Sequence, residues 1–234
     1  MLAIQYRMPA YVLKKIAPFY ENEDNHLQCG LDNSDQVRDH HLEGHYVKRE
    51  DHLIWLDMPS KKPYFEEQMK NGKSRFNPGE LETIRYTLLD LDHATEMAIA
   101  SGSLPKGYKK SVGVISFYGE QVKKIDHLVQ QELKLDHLHL RTGTVDRFQG
   151  MEMDVIIVSM VRNTEHKGGD IGFANDYRRL NVALSRAREL LILVGSVEMF
   201  TKRAKKRESR EMYDRLFEVV KSQNGLRNEQ GNPK

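Results

Sequence analysis

Residues 144–162, TVDRFQGMEMDVIIVSMVR, set Asp146, Gln149 and Glu152 in a short polar stretch directly before a run of aliphatics. Aliphatic runs on either side read as strands, so the polar stretch is a strand-end loop, the place where an α/β sheet presents residues to a ligand. Gly150 allows that loop a tight backbone. Taken alone, the stretch is equally well read as a polar turn with Asp146 capping a helix. A second stretch, DYRRLNVALSRARELLILVG, predicts a helix over 176–189 followed by a buried strand. On a wheel of about 100° per residue, Leu180, Ala183, Leu184, Ala187 and Leu191 share one stripe, and Arg179 and Arg186 share a second face. The two alanines let that helix lie close on the sheet. A guanidinium fixed in this way suits a phosphate oxygen and the charge that develops in phosphoryl transfer. The alternative is an exposed arginine-rich helix with ordinary ion pairs. A third piece, Gln5-Tyr6-Arg7-Met8, pairs an aromatic stacking face with another guanidinium.

The elements that must position these groups alternate. Strands are predicted at LIWLD (53–57), VGVISF (112–117), LHLRTGTV (138–145), VIIVSMV (155–161) and LLILVG (190–195). Helices are predicted at 9–21, from Asn77-Pro78-Gly79-Glu80 to about 100, at 119–133, at 176–189 and at about 205–222. Aliphatic strands alternating with helices imply a mainly parallel sheet covered on both faces. The loops after VGVISF and LHLRTGTV are therefore the places for a ligand. Residues 1–222 read as one domain, with 22–78 irregular or inserted and 223–234 a disordered tail.

The chain has 234 residues, is 39% hydrophobic and 30% charged, and carries 36 Lys and Arg against 34 Asp and Glu. That balance neither requires nor excludes a nucleic-acid partner. The single cysteine, Cys29, precludes an intrachain disulfide and fits a reducing, cytoplasmic home. No apolar stretch approaches membrane-span length, and the first residues lack a signal-peptide core. Several motifs fail on inspection. Gly72-Lys73-Ser74 resembles the end of a phosphate-binding P-loop, but position 67, where the leading glycine belongs, is Glu67. His41 and His45 lack the acid placement of a zinc-protease helix and read as a solvated loop. His137 and His139 read as structural, and Lys202 to Arg210 as a solvated helix face.

In order, LAIQYRM, VGVISFYGEQVKKI, TVDRFQGMEMDVIIVSMVR and GFANDYRRLNVALSRARELLILVG resemble the second, C-terminal RecA-like domain of superfamily 1 DNA and RNA helicases, in the group that includes the nonsense-mediated-decay RNA helicase. The resemblance covers residues 2–8 and about 111–196 well, and 9–110 only in outline. It implies a three-layer α/β/α fold of the P-loop NTPase type lacking its own P-loop. It implies that Tyr6 packs on the adenine or ribose of ATP, that Arg7 and Arg186 are catalytic arginines reaching the γ-phosphate, and that Glu152 contacts ribose or couples nucleotide to strand. Gln149 and Asp146 would lie where the ATP cleft meets the nucleic-acid groove. Ser116, Phe117, Tyr118 and Thr144 would hold single-stranded DNA or RNA. ATP and Mg2+ would be held mainly by an N-terminal RecA-like partner domain, and movement would run 5′ to 3′.

The family places His-Pro after QYRM, whereas Pro9 follows Met8 directly here. A motif beginning at the third or fourth residue suggests a chain cut from a longer one, inactive in ATP hydrolysis by itself. A binding or regulatory RecA-like module without ATPase activity is the alternative reading.

Overall fold

The computed structural model describes residues 4–5, 28–29, 38–69, 72, 74–165 and 169–234. Tyr6, Arg7 and the helix expected at 9–21 lie outside the described residues. Two short strands, β1 (Ile4–Gln5) and β2 (Gln28–Cys29), pair in parallel. The main sheet is built from β3 (Leu53–Asp57), β6 (Lys110–Ser116), β7 (Leu138–Thr144), β8 (Met153–Ser159), β9 (Ala187–Gly195) and β10 (Leu226–Asn228). Its spatial order is β10-β3-β9-β8-β6-β7, and every pairing is parallel. A hairpin of β4 (Glu67–Gln68) and β5 (Arg75–Phe76) stands apart from it. Gly72 and Ser74 belong to the turn of that hairpin, which settles the P-loop resemblance as incidental.

Among the described residues four α-helices cover the sheet: α1 (Pro78–Ala100), α2 (Gly119–His127), α3 (Tyr177–Leu184) and α4 (Arg207–Ser222). Alternation along each strand divides the core. Ile54, Leu56, Val112, Val114, Ile157 and Ile192 meet Ile84, Leu88 and Leu91 of α1 and Ile125 of α2. Leu53, Trp55, Ile115, Ile156, Val158, Leu191 and Leu193 meet Leu180, Ala183 and Leu184 of α3 and Met212, Tyr213, Leu216 and Val220 of α4. This is the RecA-like three-layer α/β/α architecture. Among the described residues no helix is long and apolar enough to cross a membrane.

Three expectations are corrected. The helix expected over 176–189 stops at Leu184, and β9 begins at Ala187. The chain must re-enter the sheet between β8 and β3, and Leu190 to Val194 bury both faces as a central parallel strand does, so sheet pairing overrides the helical stripe. The region around His41 and His45 is not a solvated loop: Leu42 and Val47 are fully buried, and Asp90 of α1 accepts from the His45 and Tyr46 amides at 2.8 and 2.9 Å. The tail is not disordered. β10 pairs with β3, and Arg227 is buried against Asp51 at 2.6 Å. Polar composition concealed an edge strand whose anchors are main-chain hydrogen bonds and one enclosed ion pair.

At the carboxyl edge a connected set of buried polar groups joins three elements, with Glu80 Oε1 its one oxygen left without a partner among the described residues. Gln121 of α2 accepts from the Asn77 amide at 2.9 Å and donates to Ser159 Oγ at 2.9 Å. Ser159 Oγ in turn donates to Glu80 Oε2 at 2.6 Å, and the Val161 amide donates to the same oxygen at 3.0 Å. Asn77 Nδ2 donates to the Val161 carbonyl at 3.0 Å. Val161 has φ 67°, a left-handed conformation that is costly for a β-branched residue and is held here by these bonds. Glu80 is fully buried, and burial pushes its carboxyl up to about 8. Asn77-Pro78-Gly79-Glu80 carries the spacing of a capping box, and Asn77 does accept from the Glu80 amide at 3.1 Å. The Glu80 carboxyl, however, turns away to the sheet.

Two outcomes are expected. Truncating Arg227 to Ala leaves the enclosed Asp51 carboxylate without its opposite charge, the Lys48 amide still donating to it at 2.6 Å, and should cost roughly 3–5 kcal/mol, read as a lower urea midpoint at unchanged m-value. Because Glu80 is protonated in the fold but ionised in the unfolded chain above its ordinary 4.5, it should erode stability as pH rises from about 4.5 towards about 8. Glu80→Gln should flatten that decline, with the largest stabilisation relative to wild type at the alkaline end; an unchanged slope in urea titrations at several pH values would show Glu80 ionised in the fold.

Candidate nucleotide and strand interface

The loop between β7 and β8 is anchored from below and polar above. Val145 and Phe148 of its first turn are 2% and 0% exposed, whereas Asp146, Arg147 and Gln149 face out. Phe148 reaches its seat because β6 and β7 carry glycines beneath it. A methyl group at Gly113 would lie 2.7 Å from the Phe148 ring, and one at Gly143 3.1 Å. Gly150 then reverses the chain at φ 83°. The alternation that displays Asp146 and Gln149 therefore follows from where two apolar residues are drawn down.

Arg186 closes on this loop from the opposite side. It lies in the turn between α3 and β9, 9% exposed. Its Nε donates to the Val182 carbonyl at 3.1 Å, Nη2 to Ser185 Oγ at 2.7 Å, and Nη1 to the Met151 carbonyl at 3.2 Å. The guanidinium thus joins the carboxyl end of α3 to the residue beside half-buried Glu152. Arg179, expected on the same face, serves another part of the loop: its Nη2 donates to Asp146 Oδ2 at 3.3 Å, and its guanidinium lies 5.0 Å from the Phe173 ring centre.

Strand register brings the second group together. Ser116 lies opposite Thr144 on one side and opposite Ser159 on the other. Thr144, Asp146 and Phe117 line one pocket of about 160 Å³ together with Val145, Phe173 and Arg179. That is below the roughly 300 Å³ at which small-molecule sites begin, enough for a phosphate or sugar and not for a whole nucleotide. Ser116 is different: it is fully buried, its hydroxyl donating to the Ser159 carbonyl at 3.1 Å and accepting from the Tyr118 amide at 3.3 Å. It shapes the turn rather than offering a contact. Tyr118 is 5% exposed and receives a hydrogen bond from Arg162 Nη1 at 3.4 Å.

The structure brings Thr144, Phe117 and Asp146 onto one pocket and gathers Gln149, Glu152 and Arg186 around one loop. Sequence reasoning missed Phe173, whose exposure no pattern announced, and the Glu66–Arg162 ion pair at 3.1 Å, which ties the segment before the hairpin to the chain after β8 beside Tyr118. Among the described residues no cluster of three His, Cys, Asp or Glu side chains could hold a metal ion. His137 instead pairs with Asp92, whose carboxylate accepts its amide at 2.8 Å.

The comparisons with known proteins agree with this architecture. A family model described as an AAA domain matches residues 1–198. The chain is similar to the DNA polymerase alpha-associated DNA helicase A of Saccharomyces cerevisiae, 37% identical over 63% of this chain and 20% of that protein. It is also similar to the ATP-dependent helicase upf1 of Schizosaccharomyces pombe, 30% identical over 87% of this chain and 20% of that protein, and to the human RNA helicase Mov10l1, 35% identical over 55% of this chain and 10% of that protein. The chain thus spans a fifth or less of these relatives' length. A parallel RecA-like sheet, a polar loop bound to an arginine turn at its carboxyl edge, and a family match across most of the sequence lead to one assignment: the chain belongs to the AAA-domain family of superfamily 1 helicases.

Proposed function

We propose that this chain acts as the C-terminal motor domain of an ATP-dependent superfamily 1 helicase. In this reading Arg7 and Arg186 supply guanidiniums to the γ-phosphate of ATP, whose P-loop and Mg2+ site lie on an N-terminal RecA-like domain. Tyr6, Gln149 and Glu152 line the remainder of the nucleotide side. Thr144, Phe117, Tyr118 and Asp146 form the grip on single-stranded DNA or RNA. The 234 residues contain no P-loop pattern, so the chain alone hydrolyses no ATP. ATP would supply the triphosphate bridge between the two domains, with Mg2+ neutralising its oxygens. A reducing, cytoplasmic setting fits the single cysteine, Cys29.

The observation that supports this most directly is the Arg186–Met151 bond at 3.2 Å. It makes the arginine turn and the loop running from Thr144 to Glu152 one mechanical unit. A guanidinium drawn towards a γ-phosphate pulls on the same loop that ends at the strand pocket. Loss of that phosphate releases it, so nucleotide state biases strand grip. The inward hydrogen bonds of Arg186 to two carbonyls also favour a second reading, a strand-binding or regulatory module in which Arg186 has a structural role only.

The two readings separate in one experiment. With a P-loop-bearing first domain supplied in the same polypeptide, Arg186→Ala and Arg186→Lys should each lower strand-stimulated ATP turnover by ~10³. Circular dichroism should show both variants folded. Turnover retained by the lysine variant would assign Arg186 to the structural role. Thr144→Ala should weaken single-strand binding with little change in base preference, because the contact is to the backbone.

A further inference from the structure

Phe173 is 52% exposed, an unusual state for a phenylalanine beside Phe117, Tyr118 and the sheet edge. It occupies the short turn Gly172–Asn175, which follows β8 in the chain. The turn is held on both sides. Tyr213 Oη donates to the Ala174 carbonyl at 2.8 Å, and Asn175 Nδ2 donates to Asp170 Oδ1 at 2.7 Å. Gly172, at φ 58°, is pressed so closely on Tyr118 that a methyl group there would lie 2.3 Å from the tyrosine oxygen. The Phe173 ring packs against Tyr118 at 5.6 Å between centres, tilted 57°. A fixed turn therefore displays this ring, and its other neighbours are the wall of the Thr144 pocket.

We propose that Phe173 is a stacking platform for one unpaired base of the strand whose backbone rests at Thr144. This rests on the reading of that pocket as the strand grip. The charge at the rim favours a base over a second phosphate. Asp146 and Arg179 pair at 3.3 Å and largely cancel, leaving the half-exposed ring and the guanidinium 5.0 Å from its centre as the dominant surface. Such a surface takes the π-face of any base, and Arg179 adds a cation–π component. The pocket is too small for a whole nucleotide, so sugar or phosphate sits within and the base lies across the rim. The consequence is a preference graded by ring size, purines over pyrimidines, without a hydrogen-bond code.

The test uses this chain and short fluorescein-labelled single-stranded DNA, intact or with its bases removed, read by anisotropy. Stacking is worth about 1–3 kcal/mol per base, or roughly 5- to 150-fold. Phe173→Ala should weaken binding of the intact strand by at least the lower of these factors and leave the abasic strand unchanged. Phe173→Trp should restore intact-strand binding, and Thr144→Ala should weaken both strands. Because the side chain is half exposed, Phe173→Ala should melt with wild type. Equal loss for intact and abasic strands, or no loss for either, overturns the platform. If Thr144→Ala acts while Phe173→Ala does not, the grip stands and the platform alone falls. If wild type binds neither strand, both fall.

Discussion

All six strands of the main sheet run the same way, and the function of the chain depends on that constraint. A parallel sheet sends every strand's exit to one edge and every return through a covering layer. Register does the rest. Thr144, Ser116, Ser159 and Val194 stand at one level across four adjacent strands. Residues distant in sequence are thereby set side by side without any loop having to search for its partner. Slipping one strand by a single residue would turn its buried aliphatics outward, so the core that stabilises the sheet also fixes this alignment.

The edge is rigid for two different reasons. On one side apolar side chains pull the loop down: Phe148 sits over two glycines, and Val145 lies beside it. On the other, polar groups replace lost hydration with one another. Ser159, Gln121, Asn77 and Glu80 exchange hydrogen bonds in a dry setting where an unmet group is expensive. That connected set holds Val161 in a conformation it would otherwise avoid, and Val161 starts the segment that carries Arg162 to Tyr118. Strain at the strand exit is thus offset by groups on α1 and α2.

Much of this was legible in the chain itself, because parallel sheets write themselves as unbroken aliphatic runs. VIIV and LLILV read as strands of a doubly covered layer, and the acids after LHLRTGTV read as a strand-exit loop. The misreadings share a cause. The stripe Leu180, Ala183, Leu184, Ala187, Leu191 is helical in period, yet its last members belong to a strand, because a buried run satisfies both periods and only sheet pairing decides between them. Arg227 looked like solvated tail, because its partner Asp51 lies far away in sequence and the pairing depends on tertiary structure. Phe173 had no signature at all: exposure of one aromatic is set by the turn beneath it, and sequence pattern reports only what is buried.

One outermost strand of the sheet, β10, comes from residues far along the sequence from the strand it covers. Until Leu226–Asn228 are in place, β3 presents a bare row of amides and carbonyls flanked by Leu53, Ile54, Trp55 and Leu56. Such a row templates pairing with any extended segment nearby. β3 precedes β10 by well over a hundred residues in the chain, so a product halted between them carries a sticky margin able to seed intermolecular sheet. Those few polar residues act as a hem, and their cost to the cell when missing exceeds what their size suggests.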